Sequence, residues 1–139
     1  MTNILTYQKR LSGPLLDRID MIIPVSRIPH NELLNTKTSI KEQHLKALEL
    51  ILKAKDIQSK RYGSSKKSNN SLTSSEIKQF CPLNPQTKQF LDTAAEKLKL
   101  SARSYFKMIK VARTIADIAG EKDIQIPHLA EALQYRQPT

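Results

Sequence analysis

Two arginines carry the chemistry that this sequence suggests. The segment Ser12–Asp20, SGPLLDRID, sets Asp17, Arg18 and Asp20 directly behind an apolar Pro14-Leu15-Leu16. A solvated loop has no need of the leucines, and a buried strand has none of the charges. The pattern is that of an arginine held at a surface by an anchored segment. Its counterpart is either a neighbouring carboxylate, Asp17 or Asp20, or an anion from outside. A guanidinium suits the second task because it stays charged and presents planar, forked donors. The other arginine is Arg103, in the stretch Ser101-Ala-Arg-Ser-Tyr105. It falls in the first turn of the most periodic helix of the chain, with Lys107 and Lys110 four and seven positions on. A helix start offers unpaired N–H groups and the positive end of a dipole, which suits a phosphate. The plainer alternative for Arg103 is an ordinary exposed side chain.

Other chemistries find no support. No GxxxxGK(S/T) phosphate loop occurs, and the three glycines, Gly13, Gly63 and Gly120, are too scattered for a glycine-rich cradle. His30, His44 and His128 lie in separate segments without ligand spacing, so no metal site is expected. Cys81 is the only cysteine, which excludes a disulfide framework and reads as a buried small residue. No apolar run is long enough for a membrane span and the N-terminus has no signal-peptide pattern, so a cytoplasmic protein with no membrane partner is expected.

The formal net charge of +10 points to partners rather than to a fold: nucleic acid, nucleotide phosphates or an acidic surface. The excess concentrates between Lys37 and Lys67, where nine basic residues face three acidic ones. Lys53, Lys55, Lys60, Arg61, Lys66 and Lys67 form the candidate nucleic-acid patch. The alternative is a solubilising helix face followed by a basic loop.

The elements that would position these residues are mostly helical. Residues 19–25, IDMIIPV, read as a short strand before a Pro29/Asn31 connector. A long helix follows from about Ile40 to Tyr62, with Ser39 and Glu42 as a capping box, an apolar stripe of Leu45, Leu48, Ile51 and Leu52, and Gly63 past its end. Thr73 with Glu76 opens a short helix to about Phe80. Asn84 caps the next, which Pro85 begins; its buried stripe is Phe90, Leu91, Ala94 and Leu98. Ser101 caps the periodic helix, whose apolar face is Tyr105, Met108, Ile109, Ala112, Ile115, Ala116 and Ala119, ending at Gly120. Within it Arg113 is set to pair with Asp117 at i+4 as a structural residue. Pro127 opens a last short helix. A single strand makes no sheet, so residues 1–29 read as a piece whose strand partners lie elsewhere.

Two stretches, LSGPLLDRIDMIIPV and LSARSYFKMIKVARTIADIAGEKDIQIPHLAEALQYR, resemble the C-terminal portion of magnesium-chelatase-like AAA+ ATPases of the ComM/YifB type. The resemblance runs from about residue 7 to residue 136 and is weakest over 37–70. It implies a mostly α fold in two parts: residues 1–29 as the end of the AAA+ core, with the arginine-finger segment and last strand, and residues 30–139 as the helical lid. By the same resemblance Arg18 matches the arginine finger, presented to the nucleotide of a neighbouring subunit. Arg103 matches the sensor-2 arginine, with its action in cis or in trans left open. The implied cofactors are ATP and Mg²⁺ in the full-length parent, with none held tightly by this chain, which lacks the phosphate loop and is expected to be inactive alone. The implied partners are its own AAA+ core, neighbouring subunits of a homo-oligomeric ring, and DNA. The ComM-type members of the family point to DNA processing in competence, and the chelatase members to metal insertion. A separate reading, independent of nucleotide, is a stand-alone basic helical module that binds nucleic acid with steep salt dependence.

Overall fold

The computed structural model describes residues 18–27, 29–30 and 39–136. They form five α-helices: α1 (Ser39–Tyr62), α2 (Ser74–Phe80), α3 (Pro85–Lys97), α4 (Ala102–Ala119) and α5 (Ile126–Gln134), with a 3₁₀ turn at Asn69–Ser71 before α2. The protein is mostly helical, as its sequence predicts. Leu15, Leu16 and Asp17 lie outside the described residues, as do the side chains of the predicted Ser39 cap and of Ile40.

The local signals that start and stop these helices operate as predicted. The Thr73 hydroxyl accepts from the Glu76 N–H while the Glu76 carboxylate accepts from the Thr73 N–H at 2.9 Å. Asn84 accepts from Thr87 N–H at 2.8 Å, and Ser101 from Ser104 N–H at 3.1 Å. Each satisfies a donor that has no partner within its helix. At the far end of α4, Gly120 takes φ of 77°. There Glu121 N–H reaches the Ala116 carbonyl at 2.8 Å and Gly120 N–H the Asp117 carbonyl at 3.1 Å, the Schellman arrangement that favours glycine.

Helix α4 is the axis of the core. It packs on α5 and on α1, and touches α2 and the 3₁₀ turn; α5 in turn meets α3. Met108, Ile109 and Ala112 on α4 are buried with Leu72, Ile77, Cys81, Leu91, Ile124, Leu129 and Ala132. Burial also pushes the Cys81 thiol up, as expected of an inert core cysteine. Of the predicted α4 stripe, Tyr105 and Ile115 are half-buried and Ala119 is exposed. Of the predicted α3 stripe Leu91 is fully covered, whereas Phe90, Ala94 and Leu98 are half-buried; the polar Thr87 is buried with Leu91.

Two sequence expectations need correction. The leucine stripe of α1 is not core: Leu45, Leu48, Ile51 and Leu52 are all at least half exposed. Only the C-terminal half of α1 is covered, with Ala54 and Gln58 buried. Periodicity marks an apolar face but does not say what covers it. The strand expected at 19–25 is likewise absent, and the described residues contain no strand. The segment runs as a strap over the helices, where Ile22 N–H donates to the Tyr135 carbonyl at 2.8 Å just past α5. A ladder needs an extended neighbour, and this segment meets a helix end instead.

Candidate anion-binding site

The two arginines singled out from the sequence converge. Arg18, at the start of the strap, and Arg103, in the first turn of α4, line the same cavity of about 530 Å³. Lys107 and Lys110 line it too, and Asp20 is its one carboxylate. Ser74, at the start of α2, and Asn70, in the 3₁₀ turn, supply neutral polar groups, and Leu72, Ile77 and Phe106 form its apolar floor.

Backbone geometry explains the convergence. The Ser101 cap begins α4 at Ala102, which puts Arg103 at the exposed rim. Lys107, one turn on, donates through Nζ to the Ile19 carbonyl at 2.6 Å, next to Arg18. Lys110, a further turn on, donates to the Asn70 carbonyl at 2.8 Å. The lysines thus tie the two flanking segments to α4. Among the described residues neither Arg18 nor Arg103 forms an ion pair or hydrogen bond, and Arg18 in particular is not paired with Asp20. Both guanidiniums are exposed. The two exposed guanidiniums, backed by two lysines engaged with backbone carbonyls and facing one carboxylate, give a cationic lining that suits phosphate oxygens and does not suit a Mg²⁺ ion. No cluster of His, Cys, Asp and Glu able to hold a metal occurs among the described residues.

Three other arginines, Arg61, Arg113 and Arg136, make internal contacts, whereas Arg27 is exposed. Asp117, fully buried, accepts from Arg61 Nη1 at 2.9 Å, from Arg61 Nη2, from Arg113 Nε at 3.1 Å and from Asn69 Nδ2 at 2.9 Å. Arg113, also buried, spends its remaining donors on the carbonyls of Lys122 at 2.7 Å and Glu121 at 2.6 Å. Its i+4 pairing with Asp117 is the one predicted. The hydrogen bonds to Asp117 raise the Arg61 pKa still further above its ordinary value. Arg136, read as surface charge, donates to the Leu98 carbonyl at 3.0 Å and so closes the end of α3.

The basic patch read over 53–67 does not present one open face. Arg61 is committed to Asp117, Lys67 to Glu76 and Lys60 to Asp56, the last at 2.6 Å. Lys53 lies over Gly120 at the end of α4. Lys55 and Lys66 are exposed. Lys67 and the Thr73 N–H hold the Glu76 carboxyl down at about 2.

Residues 41–136 match the family described as magnesium chelatase, subunit ChlI C-terminal. The chain belongs to this family. Residues 1–33 match the companion family, magnesium chelatase, subunit ChlI. Among relatives of this magnesium-chelatase-like group, the competence protein ComM of Haemophilus influenzae is 47% identical over 133 residues, covering 96% of this chain and 25% of the relative. The uncharacterised protein YifB of Escherichia coli is 37% identical over 132 residues, covering 95% and 25%. The chain therefore spans about a quarter of the length of these relatives. The magnesium-chelatase-like lid is the helical bundle α1–α5, and no helix among its described residues is long and apolar enough to cross a membrane.

Proposed function

We propose that this magnesium-chelatase-like domain serves an AAA+ ATPase ring as its phosphate-sensing element. In this reading Arg18 is the arginine finger and Arg103 the sensor-2 arginine. The observation that carries it is the pair of unpaired, exposed guanidiniums lining one cationic cavity, while the arginines with structural work to do face inward. ATP and Mg²⁺ are the cofactors of the assembled enzyme. The ATP phosphates meet this chain's cations, and Mg²⁺ is held by other parts of the ring.

The chemistry follows from charge. As the γ-phosphoryl group transfers, negative charge spreads over its oxygens. A guanidinium set there stabilises that charge without giving up a proton, and such fingers are worth roughly 10³–10⁵-fold in rate. A second guanidinium on the lid senses the same phosphates, so closure of the lid and occupancy of the nucleotide site become linked. A finger that acts on a neighbour requires head-to-tail subunits, which close into a homo-oligomeric ring. The 47% identity with a protein named for competence is in keeping with the DNA-processing role that the family resemblance implies, with DNA as the ring's substrate. The commitment of Arg61 and Lys67 to internal pairs weighs against the stand-alone nucleic-acid module.

The test is Arg18→Ala in the full-length ATPase that carries this domain. Loss of ATP hydrolysis by at least about a thousandfold, with ATP binding retained, is expected. Hydrolysis within a few fold of the unaltered enzyme would remove Arg18 from the reaction.

A further inference from the structure

Among the described residues, the strap that bears Arg18 is held to the helices by few polar contacts. Its apolar side chains are only partly covered: Ile19 is 41% exposed, Met21 42%, Ile23 63% and Val25 89%. None of these side chains is fully buried, so packing alone fixes its register only weakly. Among the described residues two hydrogen bonds tie it to the bundle. One is the backbone bond from Ile22 N–H to the Tyr135 carbonyl, at 2.8 Å. The other comes from a side chain, Lys107 Nζ to the Ile19 carbonyl, at 2.6 Å. Ile19 is bonded directly to Arg18, and Lys107 stands one helical turn from Arg103. The lysine therefore joins the two arginine-bearing elements at the rim of their shared cavity.

We propose that Lys107 is a positioning residue for Arg18: by holding the Ile19 carbonyl it fixes the strap to α4, so that Arg18 and Arg103 engage one polyphosphate group together. This rests on the phosphate-sensing reading above. Two guanidiniums that line one cavity repel each other in the absence of an anion, and a strap free to swing would relieve that by moving Arg18 away. The Lys107 bond opposes the swing. A multiply charged phosphate chain then meets both arginines without first gathering them, which is where preorganisation contributes affinity. Because the strap rides on the bundle, the two arginines move as one unit when the lid moves.

The experiment is calorimetric titration of the chain with inorganic tripolyphosphate, for the unaltered protein, Arg18→Ala, Arg103→Ala, Lys107→Met, Lys107→Arg and the Arg18→Ala/Lys107→Met pair. Lys107→Met is expected to weaken binding by about tenfold, at the lower end for a lost hydrogen bond to a charged group. Lys107→Arg should restore most of it. In the Arg18→Ala background Lys107→Met should add nothing, because a residue that acts through Arg18 has no further effect once Arg18 is gone. Circular dichroism melts confirm that each variant is folded, and Lys107→Gln stands in for any that is not. Equal affinity for Lys107→Met and the unaltered chain overturns the proposal. So do additive losses in the double variant, which would make Lys107 a direct ligand. Affinity unchanged by Arg18→Ala and Arg103→Ala, or no binding at all, would instead sink the phosphate-sensing reading on which this rests.

Discussion

The buried carboxylate of Asp117 holds together three parts of the chain, and its removal has a calculable cost. Asp117→Asn keeps the volume and deletes the charge. The native carboxylate takes two bonds from Arg61, one from Arg113 and one from Asn69. An asparagine carbonyl can accept at most part of this set, and its amide then points donors at donors. Two guanidiniums are left facing each other without their anion. The Arg61 side chain is 17% exposed and can partly relax into water, whereas that of Arg113 is 2% exposed and cannot. Breaking a buried pair by removing one partner costs about 3–5 kcal/mol. Relaxation of Arg61 argues for the lower part of that range, about 3–4 kcal/mol. A domain of this size has a total stability of about 5–15 kcal/mol, so the variant should fold but with much of its margin gone. Urea unfolding followed by far-ultraviolet circular dichroism measures the loss directly. In a thermal melt the midpoint should fall by at least about 12 °C. A loss below about 1 kcal/mol would refute the reasoning, because it would mean that neither arginine depends on Asp117 for its charge balance.

Two further outcomes follow from the same geometry. The Glu76 carboxyl, held at about 2 by Lys67 and the Thr73 N–H against an ordinary 4.5, stabilises the fold above pH 4.5. That stability is lost as pH falls from there through about 2, so urea midpoints should drop across this window and Glu76→Gln should flatten the drop. Buried Leu91 and exposed Leu48 should behave oppositely. Leu91→Ala is expected to cost about 2–5 kcal/mol, and Leu48→Ser to stay within about 0.5 kcal/mol, both read from urea unfolding; a large loss at Leu48 would show that the α1 stripe is covered in solution.

What was legible in the sequence was what depends on neighbours in the chain. Caps at Thr73, Asn84 and Ser101, the glycine stop at Gly120 and the Arg113–Asp117 pair all act within five residues, and all are found where their spacing put them. Arg61 is not legible as an inward residue because its partner Asp117 lies 56 residues away, beyond any local pattern, and in sequence it is one more charge in a basic run. The strap was read as a strand because an apolar run looks the same whether it meets another strand or a helix end. Arg18 and Arg103 could each be singled out by composition and position. That they share a cavity depends on the Lys107 bond and on how the 3₁₀ turn and α2 wall the space, and none of that is periodic.

The structural network and the cationic cavity are not independent. Asn69 donates to Asp117 at 2.9 Å and to the Thr114 hydroxyl at 3.0 Å, its side-chain oxygen accepts from Tyr62 at 2.5 Å, and its N–H donates to Gln58 at 3.1 Å. One buried asparagine is thereby fixed to both α1 and α4. The next residue, Asn70, offers the carbonyl that Lys110 grips at the cavity wall, and Ser74 follows at the start of α2. The inward arginines thus fix the polar turn that shapes one side of the cavity, and Lys107 fixes the strap that supplies Arg18 on the other. The cost of burying two guanidiniums around one carboxylate is offset by a loop held in a single position. A cavity whose walls are set before the anion arrives loses little on binding it, which is the property a phosphate sensor requires.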